Sequence, residues 1–164
     1  MSSFAQESAE ERAIFFEQYA AGEGIPAYIV EKDFWVCWLL GRIFAMPELG
    51  GRCIFKGGTS LSKVFGAIHR FSEDIDLAVT PASLGVEEDT LDDASSASKR
   101  GKLAEQLSEK CEKDFEQQFQ PALERDILSI LGARPEGGSW LTYEMEAATR
   151  SPARYRAPGR AARD

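Results

Sequence analysis

The 164-residue chain predicts an α/β (α+β) fold, a small mixed sheet flanked by helices. Two observations carry that expectation. Stretches with apolar residues at three- and four-residue spacings, the signature of amphipathic helices, lie on both sides of the middle of the chain. Between them are two short runs of alternating character, Arg52 to Lys56 and Asp74 to Val79, bounded by Gly57-Gly58 and by Pro81.

Residues 7–21 read as the first helix, with Ile14, Phe15 and Tyr19 among charged neighbours and an end near Gly22 and Gly24. Pro26 can begin the next helix, which carries Tyr28, Ile29, Val30, Phe34, Trp35, Trp38, Leu39, Leu40, Ile43 and Phe44 toward Pro47. Trp35, Trp38 and Leu39 share one face, so core packing is expected of them rather than a stacking platform for bases. Arg52–Lys56 is a buried strand ending at the glycine pair, and Thr59–Ile68 is a helix with Leu61, Val64, Phe65 and Ile68 on its apolar face. Arg70-Phe71-Ser72 turns into the Asp74–Val79 strand. Residues 84–98 are acidic and Ser-rich, a surface loop or short helix.

From Lys99 to Leu131 apolar residues recur near every fourth place, from Leu103, Leu107 and Cys111 through Phe115, Phe119, Leu123 and Ile127. This long helix should bend or split at Pro121, which lacks the N–H that a continuous helix uses. Its seam either covers the domain's own sheet or receives a partner helix, and the first is favoured. A turn at residues 135–139 precedes a strand expected at Trp140–Met145. Residues 1–149 thus form one domain with N-terminal helices, and 150–164 an Arg/Pro-rich tail expected to be disordered.

The net charge of −8 is uneven: residues 1–149 carry −12, and the tail, with five arginines and one aspartate, carries +4. An acidic body argues against broad nonspecific nucleic-acid binding, which needs cations to displace counterions. No run approaches the roughly 20 apolar residues of a membrane span, and the start lacks a secretion signal, so a cytoplasmic protein without membrane contact is expected. Cys37, Cys53 and Cys111 fit neither a disulfide framework nor a zinc cluster. His69, the single histidine, excludes a site needing several imidazoles.

The chemistry concentrates in two blocks. Asp74 and Asp76 are one residue apart on a strand, and a period of two points both to one side while Ile75 and Leu77 point to the other. Two carboxylates so placed repel unless a cation lies between them, and a hard ion such as Mg²⁺ suits them. Upstream, Gly57-Gly58 opens toward a helix whose first amides, at Thr59 and Ser60, can hold a phosphate. The Ser60 hydroxyl can add a hydrogen bond, although Thr59 can equally be the helix cap. Lys63, one turn on, is a mobile cation for the same phosphates, with Lys56 and Arg70 behind it. Ser72 either binds metal-bound phosphate or caps the turn. The glycine pair has neither the Walker nor the dinucleotide-fold spacing. A phosphate holder beside a metal holder reads as nucleotidyl transfer, in which alignment and charge neutralisation do most of the work.

Three segments resemble the AbiEii/AbiGii-type nucleotidyltransferase toxins, a branch of the DNA-polymerase-β-like transferases. They are Val30–Trp35, Phe55–Lys63 and Arg70–Leu77, within a likeness spanning roughly residues 25–145. The resemblance implies a nucleotidyltransferase core, an NTP as substrate with Mg²⁺, and an acceptor such as a tRNA 3′ end or a protein hydroxyl. It also implies a toxin role in an abortive-infection or toxin–antitoxin module, with a cognate antitoxin as partner. By position, Gly58 and Ser60 fall in the family's phosphate-binding turn and Asp74 with Asp76 in its metal pair. The family's further catalytic lysine and third acidic residue find no match beyond Glu144 and Glu146, which gives the expectation of a truncated form with weak or absent turnover. The alternative reading is a catalytically dead remnant that binds nucleotide or a partner protein.

Overall fold

The computed structural model describes residues 1–57, 60, 75–86, 96–135 and 137–141. The expected helix at 59–68, the strand beyond Leu141 and the basic tail therefore fall wholly or almost wholly outside the described residues.

Helix α1, Ser2–Ala5, leads into α2, Ala9–Glu23. Ser8 caps α2 with a full capping box: its hydroxyl accepts from the Glu11 N–H, and the Glu11 carboxylate accepts from the Ser8 N–H at 3.0 Å. The helix runs past Gly22 and stops at Gly24, which takes the left-handed conformation that favours glycine (φ +68°). Helix α3, Ala27–Ala45, follows Pro26 as expected, and a short α4, Pro47–Gly50, turns the chain toward the sheet.

Strand β1, Cys53–Lys56, pairs antiparallel with β2, Asp76–Val79, in the register Cys53 to Val79 through Lys56 to Asp76. The expected mixed sheet is, among the described residues, this antiparallel pair. Arg52 lies just outside β1, in a turn. A 3₁₀ turn at Pro81–Leu84 ends β2.

The long C-terminal helix is three pieces in register: α5 (Ala97–Asp114), a π-helical segment (Phe115–Phe119) and α6 (Gln120–Leu131). Pro121 neither breaks the rod nor stops it. The Gln120 N–H reaches back five residues to the Phe115 carbonyl, so the helix widens immediately before the residue that has no N–H to give.

The core gathers Trp35, Trp38, Leu39 and Ile43 of α3, Leu49 of α4, Cys53 of β1, and Phe119, Leu123 and Ile127 of the long helix. Trp35 and Trp38 are 1% and 2% exposed and meet edge to face, with centroids 5.6 Å apart, which excludes them as a platform for bases. The apolar seam of the long helix packs inward along its second half, where Phe119, Leu123 and Ile127 are buried; Leu103, Leu107 and Cys111 are only half-buried. On α2, Ile14, Phe15 and Tyr19 are more than half exposed, and Phe16 and Ala20 are the buried pair. The inward stripe follows the four-residue step from 16 to 20, and Phe4 of α1 packs edge to face on both Phe15 and Phe16.

Among the described residues, ion pairs at Arg42 and Arg52 tie the long helix to the rest. Arg42 of α3 grips Asp126 of α6 with two parallel bonds, Nε to Oδ2 at 2.8 Å and Nη2 to Oδ1 at 2.6 Å. Arg52 bonds Asp114 at 2.5 Å, the Ser83 carbonyl at 3.2 Å and Gln118 Oε1 at 3.2 Å. Its own carbonyl accepts from the Thr80 N–H, so one residue fastens the outer ends of both strands to the helix behind them. Among the described residues no helix is long and apolar enough to cross a membrane.

Candidate active site

Alternation along the two strands decides which side chains meet. Cys53 is buried, Phe55 is half-buried, and their register partners are Val79 and Leu77; Ile75 and Leu77 pack against the core. The intervening residues of each strand therefore face away from it. That outer face carries Ile54, 56% exposed, and Lys56, which lies opposite Asp76 in the register. The expectation that Asp76 and the apolar pair Ile75 and Leu77 point to opposite sides holds.

The chain then turns sharply at Gly57, whose φ of +79° lies in the region that favours glycine. This conformation brings its Cα directly beneath the Asp76 carboxylate. A Cβ built on Gly57 would sit 2.0 Å from Asp76 Oδ2 and 2.7 Å from its Cγ, so glycine is required twice, for backbone angle and for space. Ser60 stands one turn on, 5% exposed, and its hydroxyl donates to the Gly57 carbonyl at 2.8 Å. A hydroxyl has one hydrogen, and here it closes the glycine turn instead of pointing to solvent as a phosphate donor.

Gly57, Ser60 and Asp76 are thus brought together within one corner at the end of the strand pair. Gly58, Thr59, Lys63, Ser72 and Asp74 lie outside the described residues, as does Arg70. Among the described residues no three His, Cys, Asp or Glu side chains gather as a closed metal site would need. Among the described residues, the corner offers a hard cation one oxygen donor, the Asp76 carboxylate, which lies over a residue with no side chain to fill the space. Mg²⁺ commonly takes one or two protein carboxylates and completes its shell with water and substrate oxygens.

Sequence reasoning missed Arg52. Nothing in its spacing marks it, because its three partners come from segments 31 to 66 residues away. Cys53 and Cys111 are both pushed above the usual thiol range, chiefly by burial and further by the Asp114 carboxylate.

The family described as "Nucleotidyl transferase AbiEii toxin, Type IV TA system" matches residues 38–159. The chain belongs to this family. The AbiEii match begins after the Val30–Trp35 block and contains both chemistry-bearing segments. It also runs into the Arg-rich stretch, further than the likeness expected from the motifs. Membership supports, in general terms, a nucleotidyltransferase and a toxin. No curated protein and no solved structure matches the chain.

Proposed function

We propose that the protein transfers a nucleotide from an NTP to a hydroxyl acceptor, a tRNA 3′ end or a protein side chain, as the toxin of a toxin–antitoxin or abortive-infection module. One observation supports this reading above the others: the Asp76 carboxylate lies on the Gly57 corner, so a cation held by the first would be within reach of a polyphosphate held by the turn that begins at the second.

In this reading Asp74 and Asp76, assigned to one side by the period-two pattern of the sequence, would together hold Mg²⁺. Bound there, the ion would neutralise charge on the triphosphate and favour the attacking oxygen. Gly57 keeps the approach to Asp76 open. The amides of Gly58, Thr59 and Ser60 receive the departing pyrophosphate, while the Ser60 hydroxyl braces the turn from within. Lys63, with Lys56 on the outer face of β1, supplies positive charge to the phosphates. Ser72 adds a hydroxyl for the metal-bound phosphate. A cognate antitoxin would be the protein partner.

The test is incubation with labelled NTPs, Mg²⁺ and total tRNA or protein extract, comparing wild type with Asp76→Ala. Label transferred by wild type and lost in the variant is the expected result. Mg²⁺-dependent nucleotide binding without transfer would leave a nucleotide-binding remnant, and neither binding nor transfer would remove the proposal.

A further inference from the structure

At the opposite end of β1 from Gly57, a half-open cavity of about 260 Å³ lies between α4, Arg52 and the π-helical segment. Its polar wall is formed by Glu48, Arg52, Gln117, Gln118 and Arg125, and its floor includes the buried Leu49 and Ala122 beside Pro121. The site described above uses none of these residues.

Three features define what fits. The volume falls just below the roughly 300–1,000 Å³ of pockets that enclose whole small ligands, so it suits one ring-sized group. The wall mixes donors with acceptors: two guanidinium groups, two amides and a carboxylate. A phosphate, which only accepts, would be repelled by Glu48, whereas the edge of a heterocyclic base both donates and accepts. The Arg52 guanidinium is already fixed by Asp114, Gln118 and the Ser83 carbonyl, so it presents a preorganised plane, and bases stack on such planes and on apolar floors. Widening of the helix at 115–119 shapes this wall, and π-helical turns recur at functional sites.

We propose that this cavity holds an unpaired base of an RNA acceptor, a few nucleotides before the end that receives the new nucleotide. The inference rests on the transferase reading and decides within it for RNA over a protein acceptor. Along the chain, Arg52 immediately precedes β1, and Lys56 at the other end of that strand lies opposite Asp76, a strand of about 13 Å at roughly 3.3 Å per residue. A single strand crosses that in a few nucleotides at about 3.4 Å or more apiece.

The test is fluorescence anisotropy at fixed salt, using labelled single-stranded RNA with a free 3′ hydroxyl and the same RNA made abasic at the second to fourth positions from that end. Wild type is compared with the double variant Arg125→Ala/Gln117→Ala, both exposed positions, with thermal melting to verify folding. The double variant should bind intact RNA about tenfold more weakly. Abasic RNA should bind wild type with the same loss and should lose nothing further in the variant. Asp76→Ala should keep full RNA affinity while losing transfer. Equal RNA affinity in wild type and double variant, or undiminished binding of abasic RNA, overturns the base-holding role. Failure of wild type to bind RNA while it labels protein would overturn it and leave the transferase reading intact; base-dependent RNA binding without any transfer would do the reverse.

Discussion

The Asp76 carboxylate rests on the Cα of Gly57, close enough that even a methyl group there would overlap Oδ2. Gly57→Ala therefore carries two penalties. The left-handed backbone costs about 1–2 kcal/mol for a residue with a Cβ, and the carboxylate must rotate away. Thermal melting should show a loss of that order. Any Mg²⁺-dependent nucleotide binding should fall at least tenfold while β1 and β2 stay paired. A Gly57→Ala protein with wild-type melting and nucleotide affinity would contradict the geometry.

The grip of Arg42 on Asp126 holds α6 against α3 from a half-buried position, with side chains 28% and 15% exposed. Removing one partner leaves a charge without its mate, so Arg42→Met and Asp126→Leu should each destabilise by about 1.5–3 kcal/mol. The double variant Arg42→Met/Asp126→Leu should lose less than the sum of the two single changes. Denaturant titration of the four proteins gives the coupling, and additive losses would mean the pair contributes no interaction of its own.

Glu11 gives a pH signature. Its pKa is lowered below the ordinary 4.5, first by the Ser8 hydroxyl and then by the Ser8 N–H. A carboxylate with a depressed folded pKa adds stability that is fully present above the unfolded value and lost as pH falls through the folded one. The melting-temperature gap between wild type and Glu11→Gln should stay constant from pH 7 to about 5 and shrink below about 4.5. A gap that widens in acid would reverse the sign of the argument.

Burial holds Cys53 and Cys111 above the usual thiol range, and neither is in a disulfide. At pH 7 little thiolate is present, so both should react with iodoacetamide more slowly than a short unstructured thiol peptide. The rate should rise only above the ordinary thiol value of about 8.5, where the peptide is already labelled fast. Mass spectrometry of digests over a pH series reads each site separately, and rapid labelling of Cys53 at neutral pH would contradict its burial.

Local sequence determined the helices from Ala9 to Ala45, because capping by Ser8, the stop at Gly24 and the restart after Pro26 are decided within a few residues of chain. It also determined the alternation that turns Asp76 away from Ile75 and Leu77, since a strand has period two wherever it lies. The same local rules made Trp35 and Trp38 core residues. Tertiary structure decided the rest. Which stripe of α2 turns inward depends on where α1 and α3 lie, so Phe16 and Ala20 are buried while Ile14, Phe15 and Tyr19 are not. The hydrogen of Ser60 goes to Gly57 because the fold buries that side chain. Arg52 finds Asp114, and Arg42 finds Asp126, across more than 60 residues of intervening chain. Spacing along a sequence specifies neighbours one helical turn or one strand step away; contacts between distant segments exist only after the hydrophobic core has set how those segments pack.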